Sequence, residues 1–311
     1  MAGMELCEPR RLYNLLNQQR QVSRLAEPGY LCLLDARTQR EYDESHIITA
    51  RRIEQSPTGE YLVPDVEELR CVSYCVVYDC ETSSLDCCDY EEEEEEKGTR
   101  EPYAEEGTAV RHARSFEQFS RQPVLILSGG YKRFSACYPF LRTQKILWMP
   151  QELDNFQPYP VEILPAKLYM GNFKQACDQQ IQKDLKIKAQ VNVSEQPVTL
   201  FAEGGKHLQV SVLDSLEADL FSSFATVCHF IDAQLDGGAV LVFSSLGISR
   251  SSAVIMAYLM HSCQFSLKRA WDHVLKCKWN MRPHRGFVKQ LSAWETQIYG
   301  TAITDVSEPK Y

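Results

Sequence analysis

The sequence has 311 residues, 44% of them hydrophobic, and a formal net charge of −9 at pH 7. That length predicts about two domains, each with enough apolar material for a core. No uncharged apolar run is long enough for a membrane span, and the N-terminal residues lack the apolar core of a signal peptide. Integral membrane and secreted classes are therefore excluded by the pattern.

Cysteine usage predicts the cellular compartment. The chain has 12 cysteines without a secretory signal, which predicts free thiols in a reducing, cytoplasmic setting. Their spacing does not match a zinc site, and we expect neither a metal nor another cofactor. A mitochondrial location is the alternative, because four arginines stand near the N-terminus. These are Arg10, Arg11, Arg20 and Arg24.

The negative charge is concentrated in one segment. Residues 79–107 hold 13 acidic side chains against Lys97 and Arg100, a net charge of −11, so the rest of the chain carries +2. Strong charge and low apolar content predict a disordered acidic insert over 83–107. A solvated loop is the simpler interpretation, and mimicry of a phosphorylated or nucleic-acid-like surface is the alternative.

The first half of the chain predicts a helix and three strands. The helix covers 11–27, where Leu12, Leu15 and Leu16 fall on one face. The strands are short apolar runs. They are predicted at 30–37, 74–78 and 123–127.

Short motifs among these elements resemble the rhodanese fold over residues 11–145. They are Asp35-x-Arg37, Glu41-Tyr42, His46-Ile47 and Ala50, then Gly129-Gly130-Tyr131 with Phe134. The last group is similar to the Gly-Gly-Tyr-x-x-Phe of rhodanese-like domains fused to MAP-kinase phosphatases. The resemblance implies an N-terminal α/β domain.

The rhodanese resemblance also implies a sulfur-carrying cysteine directly after the central strand. Asp79 stands at that position, and Cys80 follows without a glycine-rich loop. An acidic flank disfavours a thiolate, so we interpret Cys80 as a loop thiol. Because Cys71, Cys75 and Cys80 flank or occupy a strand-like run, we expect buried thiols there. A sulfurtransferase acting through Cys80 is the alternative.

In MAP-kinase phosphatases the rhodanese-like domain docks a kinase through a basic cluster beside leucines. The nearby basic residues here are Arg51 and Arg52, followed by Ile53 and Glu54. This motif is degraded, and the simpler interpretation is a pair of surface charges at a strand end. We therefore do not expect MAP-kinase docking through it.

Residues 146–158 predict a linker, because prolines interrupt and follow the segment. The second domain is expected over 159–299. Its central stretch begins with a buried strand at 239–243, continues through a loop from Ser244 to Arg250, and enters a buried helix at 251–260. Hydroxyl side chains at the helix start can cap it.

Strand, glycine-bearing loop and helix start together predict an anion site. Backbone N–H groups meet there at the positive end of the helix dipole, and phosphate is the usual ligand of such nests. Arg250 adds a planar guanidinium suited to bidentate phosphate binding. The predicted ligands are Ser245, Leu246, Gly247, Ile248, Ser249, Arg250 and Ser251.

This stretch resembles the signature loop of the cysteine-dependent phosphatases, His-Cys-x5-Arg-Ser/Thr, in its dual-specificity form. Other matching motifs flank it on both sides. They are Leu168-Tyr169-Met170-Gly171-Asn172 with Ala176, Leu185 to Ile187, Val191 to Ser194, and Pro283, Phe287, Gln290, Leu291, Trp294 and Glu295. The resemblance implies a C-terminal α/β domain of the dual-specificity phosphatase type.

Alignment on this loop places Ser244 at the family's nucleophilic cysteine and Phe243 at its preceding histidine. Asp214, thirty residues before Ser244, falls where the family keeps its general acid. A loop of this kind lowers a thiol pKa from about 8.5 to between about 3.5 and 7.5. A hydroxyl starts many units higher, stays protonated at neutral pH, and would need a general base that Phe243 cannot supply.

These residues predict a pseudophosphatase, meaning a phosphatase-like protein without catalysis. We expect it to regulate signalling by binding protein partners, such as phosphoproteins, kinases or phosphatases. Nothing in the sequence indicates nucleic-acid binding. A very slow phosphatase that uses Ser244 is the first alternative, and sulfur transfer through Cys80 is the second.

Overall fold

The computed structural model describes residues 3–20, 23–85, 106–147, 150–153, 156–197, 204–308 and 311. Most of the predicted acidic insert, residues 86–105, lies outside this description. The chain divides into two compact units. The first unit is Met1–Leu16 with Val22–Phe156, and the second unit is Asn17–Gln21 with Gln157–Tyr311.

The first unit alternates short strands and helices. Its elements are β1 (Met4–Cys7), α1 (Pro9–Leu16), β2 (Leu31–Asp35), α2 (Gln39–Glu44), β3 (His46–Ile47), β4 (Arg51–Arg52), β5 (Glu54–Gln55), β6 (Tyr61–Val63), α3 (Val66–Cys71), β7 (Tyr74–Tyr78), α4 (Thr108–Phe116), β8 (Val124–Leu127), α5 (Gly130–Cys137) and β9 (Arg142–Thr143). Short 3₁₀ turns lie at Arg24–Ala26, Pro139–Leu141 and Pro150–Leu153.

A parallel sheet with strand order β1-β8-β7-β2-β4 forms the centre of this unit. Alternate side chains of its strands point to one face, as the two-residue period of a strand requires. Cys32 and Leu34 of β2, for example, join the α4 side chains Ala113 and Phe116 in one core cluster. The three predicted strands are present as β2, β7 and β8.

The N-terminal segment differs from the prediction in two ways. The structure adds β1, an edge strand of only four residues, beside β8. The helix predicted at 11–27 ends at Leu16. Leu12, Leu15 and Leu16 are buried as predicted. Beyond them the apolar spacing stops, and the described residues 17–20 belong to the second unit.

The Asp35-x-Arg37 motif is structural. Arg37 Nη2 lies 2.6 Å from Asp35 Oδ2 in a buried ion pair, and it also donates to the Ser45 carbonyl at 2.8 Å. The guanidinium carbon stands 3.8 Å from the ring centroid of Tyr131. One arginine thus ties the exit of β2 to α2 and α5.

The second unit continues the alternation. Its elements are β10 (Val161–Leu164), β11 (Leu168–Asn172), α6 (Phe173–Ala176), α7 (Gln179–Asp184), β12 (Ile187–Asn192), β13 (Lys206–Gln209), α8 (Phe221–Leu235), β14 (Ala239–Ser244), α9 (Arg250–Ser262), α10 (Leu267–Cys277) and α11 (Arg285–Tyr299).

Its sheet has the order β10-β11-β14-β12-β13, antiparallel between β10 and β11 and parallel elsewhere. β14 lies in the middle, and all of its residues are buried. Ser251 to Met260 of α9 are buried as well, because α9 lies against the sheet and against α8, α10 and α11. This continuous apolar stretch fixes both ends of the loop between β14 and α9.

Two side chains of α11 organise the surrounding loops. Gln290 Oε1 accepts from the backbone N–H groups of Leu220 and Phe221, each at 2.8 Å, at the start of α8. Glu295 is fully buried, and its Oε1 accepts from the Leu267 N–H at 2.7 Å, at the start of α10. Both helix starts thereby gain an acceptor for otherwise unpaired N–H groups.

The second unit also extends past the predicted limits of 159–299. Tyr311 is buried, and its ring meets that of Trp271 edge to face at 4.9 Å. At the other end Gln18 Nε2 donates to the Cys277 carbonyl at 2.6 Å, and the Tyr159 N–H donates to Asn17 Oδ1 at 2.8 Å. Within the described ranges, no helix combines the length and apolar composition of a membrane span.

Candidate phosphate-binding site

The loop from Ser244 to Arg250, called here the phosphate loop, connects the central strand β14 to the buried helix α9. Its shape depends on Gly247, which has a φ of +69°, a region that side-chain-bearing residues rarely occupy. A Cβ at this position would collide with the Gly171 carbonyl of β11. A positive φ and a close backbone approach both require glycine here.

Ser244 lies at the base of the phosphate loop and is 2% exposed. Its Oγ donates to Ser251 Oγ at 3.2 Å and accepts from the Gly247 N–H at 3.2 Å. Neither partner is a general base. Within the described residues, Ser244 Oγ therefore forms no hydrogen bond with a group that could remove its proton.

Several backbone N–H groups of the phosphate loop are uncommitted. Within the described residues, four of these N–H groups donate no hydrogen bond. They belong to Ser245, Leu246, Ile248 and Ser249. Successive free donors in a turn that opens a helix make a concave anion site. Phosphate or another oxyanion is the ligand that such an arrangement stabilises.

Arg250 is 7% exposed and bridges the loop to the segment that carries Asp214. Its Nη1 donates to the Val212 carbonyl at 2.8 Å, and its Nη2 donates to Ser245 Oγ at 3.1 Å. Its buried Nε has no hydrogen-bond partner in the described part of the chain, and it lies 3.8 Å from Asp214 Oδ2. One donor of the guanidinium is therefore not committed to a hydrogen bond among the described residues.

Asp214 faces the phosphate loop, and its side chain is 39% exposed. Its Oδ1 accepts from Ser249 Oγ at 2.7 Å, and Ser249 Oγ in turn accepts from the His284 N–H at 3.1 Å. The helix start carries no side-chain cap, so the prediction that hydroxyl residues cap α9 is wrong. The Ser249 hydroxyl instead joins three segments of the chain.

Phe243 is fully buried and meets Phe173 edge to face, with ring centroids 6.1 Å apart. The position before Ser244 is therefore part of an apolar contact. No ionisable group replaces a histidine there. Sequence reasoning gave no sign of the role of Phe173, because the contact links residues far apart in the chain.

Exposed apolar side chains occur in the phosphate loop and in the segment that carries Asp214. Leu246 in the loop is 70% exposed, and Leu213 and Leu216 in the Asp214 segment are 56% and 63% exposed. Exposed leucines near a candidate anion site are typical of a surface that contacts another molecule.

The corresponding loop of the first unit, after β7, is filled by its own side chain. Asp79 Oδ1 accepts from the N–H groups of Glu81 at 3.1 Å and Thr82 at 2.9 Å. Asp79 Oδ2 accepts from Thr82 Oγ1 at 2.6 Å and from the Ala109 N–H at 2.9 Å. The donors that could hold a foreign anion are occupied.

Cys80 follows Asp79 and is exposed. Its Sγ donates to Glu41 Oε1 at 3.1 Å. Partial burial of the thiol and this hydrogen bond raise the pKa of Cys80 to about 11, which opposes thiolate formation at neutral pH. Cys75 is buried as predicted, but Cys71 and Cys80 are exposed. The prediction of buried thiols is wrong for both, because Cys71 ends the short helix α3 and Cys80 lies in the loop after β7.

The two arginines at the degraded docking motif are paired with acidic neighbours. Arg51 Nη2 lies 2.5 Å from Glu68 Oε1, and Arg52 Nη2 lies 3.2 Å from Glu54 Oε1. Their charges are thus partly neutralised within the unit. Among the described residues, no group of His, Cys, Asp and Glu side chains converges as a metal site requires.

Comparisons with known proteins identify both units. Residues 168–297 match the family model "Dual specificity phosphatase, catalytic domain", and residues 9–137 match "Rhodanese-like domain". The chain joins a rhodanese-like domain to a dual-specificity phosphatase domain. The predicted fold class is confirmed.

Known relatives share one or both domains. Human dual specificity protein phosphatase 4 is 29% identical over 283 residues, covering 82% of this chain and 68% of the relative. Dual specificity protein phosphatase Mpk3 of Drosophila melanogaster is 36% identical over 147 residues, which is 46% of this chain and 36% of the relative. The chain spans about a third of the length of Mpk3. The crystal structure of human DUSP28 is 32% identical, with a TM-score of 0.43, and covers 45% of this chain and 97% of that one.

Proposed function

We propose that this protein is a pseudophosphatase that binds phosphorylated proteins without hydrolysing them, and thereby regulates kinases or phosphatases that act on the same partners. The observation that carries this proposal is the phosphate loop. It combines uncommitted backbone donors and the orphaned Arg250 Nε with a serine hydroxyl at the family's nucleophile position. Binding groups are present, and the group that attacks phosphorus is not.

The chemistry of Ser244 supports this reading. If the electrostatic field of the loop lowers a thiol pKa by three units, it stabilises the thiolate by about 4 kcal/mol. The same field leaves a hydroxyl protonated at neutral pH. Ser244 contacts Ser251 and Gly247, neither of which is a base. The neutral hydroxyl also lacks the negative charge with which a thiolate would repel a bound phosphate, so binding is expected to persist.

The surroundings of the loop favour a protein ligand over a free anion. Leu246 in the loop, and Leu213 and Leu216 in the segment that carries Asp214, present exposed apolar surface, which inorganic phosphate cannot use. A phosphorylated side chain that enters the loop would bring its neighbouring residues onto these leucines. Apolar contact would then add to the charge-assisted hydrogen bonds.

The rhodanese-like domain is proposed to act as a binding or structural module. Its loop is filled by Asp79, and its Cys80 is a poor nucleophile at neutral pH. The ion pairs of Arg51 and Arg52 argue against kinase docking through a free basic cluster. The phosphate loop therefore carries the proposed partner recognition.

The test is calorimetric titration of the full chain with tungstate and with a phosphotyrosine peptide. Wild type and Ser244→Ala should bind with similar affinity, because the hydroxyl is not a required donor. Arg250→Ala should bind about 10- to 100-fold more weakly, the usual effect of losing charge-assisted hydrogen bonds. Binding that is undetectable, or unchanged by Arg250→Ala, would contradict the proposal.

A parallel assay with an aryl phosphate separates binding from catalysis. Wild type should hydrolyse no faster than Arg250→Ala. Steady hydrolysis that disappears in Ser244→Ala would instead identify a slow phosphatase with Ser244 as nucleophile.

A further inference from the structure

Two buried thiols lie side by side in the sheet of the first unit. Cys32 of β2 pairs with Cys75 of β7 in the parallel register, and both side chains enter the same core cluster. Each residue is 1% exposed, and both thiols are free. Because neighbouring strands of a sheet lie about 4.7 to 4.9 Å apart, the two Cα atoms are separated by about that distance.

The two thiols are in contact as well as in register. A hydrogen bond between the side chains of Cys32 and Cys75, together with burial, raises the pKa of Cys75 well above its usual value. Disulfides in proteins join residues whose Cα atoms lie about 4.4 to 6.8 Å apart. The spacing of the two strands falls within this range. A bond between the two sulfur atoms therefore requires rotation of the side chains, and the strands can keep their register.

The Cys32 sulfur lies directly beneath a partly exposed side chain. Arg51 Nη2 donates to Cys32 Sγ at 3.3 Å, and it also pairs with Glu68. The edge strand β4 is only two residues long and pairs with Leu34 and Asp35 of β2, so it does not run alongside Cys32. The Arg51 side chain is 40% exposed. Because exposed side chains change rotamer within nanoseconds, movement of Arg51 uncovers the sulfur to small solutes.

We propose that Cys32 and Cys75 form a reversible disulfide when the protein meets a peroxide, so that the pair is a redox modification site within the rhodanese-like domain. The register of β2 and β7, the contact between the thiols and the cover supplied by Arg51 together carry this inference. The site uses neither the phosphate loop nor Cys80. It is therefore separate from the proposed function and from the sulfurtransferase alternative. Transient disulfides of this kind are typical of redox-sensing proteins.

The chemistry has two steps, with hydrogen peroxide as the oxidant. In the first step the peroxide oxidises the Cys32 thiol to a sulfenic acid and releases one water. In the second step the Cys75 sulfur attacks the sulfenic sulfur. The S–S bond forms, the S–O bond breaks, and the hydroxyl group leaves with the proton of Cys75 as a second water. The two thiols together lose two electrons and two protons, and the peroxide takes up both.

The disulfide would change two properties of the unit. It would close the chain between β2 and β7 into a covalent loop, which restricts the unfolded chain. It would also turn the Cys32 sulfur toward Cys75 and away from Arg51. The guanidinium would then keep Glu68 and lose its contact with the sulfur. Oxidation within the core would thus alter the surroundings of a basic residue at the surface.

The test is mass spectrometry of the full chain after exposure to hydrogen peroxide. Remaining thiols are blocked with iodoacetamide in denaturant, and the protein is digested with chymotrypsin without reduction. Cleavage after Tyr74 and Tyr78 separates Cys75 from the other cysteines of that segment. Oxidised wild type should yield a cross-linked pair of peptides that contain Cys32 and Cys75, lighter by two hydrogen atoms than the two thiol peptides together. Dithiothreitol should separate them again.

Three variants control for the identity of the linked residues. Cys32→Ser and Cys75→Ser should each lose the cross-link. In Cys75→Ser the oxidised Cys32 has no thiol partner, so its sulfenic acid should persist and be trapped by dimedone. Cys7→Ser is the matched control, because Cys7 is a buried free cysteine of the same unit. Its yield of the cross-link should equal that of wild type.

A second arm uses wild type alone, so it does not depend on the folding of any variant. The protein is oxidised once in its folded state and once in guanidinium chloride. Unfolding removes the register of β2 and β7, so the link between Cys32 and Cys75 should dominate only in the folded protein. The proposal would be overturned if the folded protein kept both thiols free, or linked them mainly to Cys71 or Cys80. Oxidation of Cys32 to a sulfinic or sulfonic acid without a cross-link would overturn it as well.

Discussion

Phe243, directly before Ser244, packs edge to face against Phe173, with 6.1 Å between the ring centroids. This contact places apolar surface next to Ser244. The position is packed and buried. Any attempt to restore catalysis has to place a polar ring in that environment.

The first prediction concerns such a restoration. Ser244→Cys alone should give weak aryl-phosphate hydrolysis, since the loop donors and Arg250 can acidify a thiol. Phe243→His together with Ser244→Cys should exceed it, because each unit by which the thiol pKa falls stabilises the thiolate by about 1.4 kcal/mol. The Phe243→His change should cost about 1 to 3 kcal/mol of folding free energy, because it puts an imidazole in apolar surroundings. Denaturant titration measures this cost.

Asp214→Asn in the double variant is the control for a catalytic mechanism. It should slow hydrolysis about 10²- to 10⁴-fold, the usual scale for loss of a general acid. A double variant that folds and binds phosphate but hydrolyses nothing would show that other parts of the site have also changed.

The second prediction tests the backbone approach at Gly247. Gly247→Ala should destabilise the protein by about 3 kcal/mol or more, because a positive φ and a collision with Gly171 act together. Gly204→Ala is the matched control, since Gly204 has a φ of +82° but no atom within 4 Å of an added Cβ. It should cost only about 1 to 2 kcal/mol. Similar melting temperatures for the two variants would contradict the steric argument.

The third prediction is a pH dependence at Cys80. Alkylation requires the thiolate, so its rate at Cys80 should rise with pH and level off only above a pKa of about 11. Glu41→Gln removes the negative charge beside the thiol and should shift the profile to lower pH. Mass spectrometry of the peptide containing Cys80 gives the rate, with free N-acetylcysteine as the reagent control. Rapid labelling of Cys80 at pH 7, or a persulfide on it after thiosulfate treatment, would reopen the sulfurtransferase alternative.

The fourth prediction concerns the carboxylate of Asp79. Asp79→Ala should lower the free energy of unfolding by about 2 to 4 kcal/mol, because the buried N–H of Ala109 and the partly buried N–H of Thr82 lose their acceptor. Glu44→Ala, which removes an exposed carboxylate in the same unit, should change it by less than about 0.5 kcal/mol. Chemical denaturation measures the free energy of unfolding of both variants. Equal values would show that the Asp79 contacts are not required for stability.

The sequence predicts the parts of this fold that depend on local pattern. The buried run from β14 through α9 shows itself by continuous apolar composition, and Gly247 and Arg250 mark the loop between them. Contacts between distant segments are not visible in that way. The four-residue strand β1 has too few residues to show a period, and the pairing of Phe243 with Phe173 joins positions 70 residues apart.

The candidate site shows the same division. The register of Asp214 relative to Ser244 could be read from the family resemblance, but the use of the Ser249 hydroxyl could not. A serine at a helix start ordinarily caps the helix by accepting from a backbone N–H of the first turn. Here Ser249 Oγ accepts from the His284 N–H instead and donates to Asp214.

The carboxylate in the loop after β7 acts as a tethered competitor. A ligand attached by a short linker is present at an effective concentration of millimolar or more, and Asp79 is attached by a single methylene group. Any free anion that approached this loop would have to displace a group that cannot diffuse away. The loop of the first unit is therefore already occupied by its own side chain. Small anions at ordinary concentrations should not change the conformation of this loop.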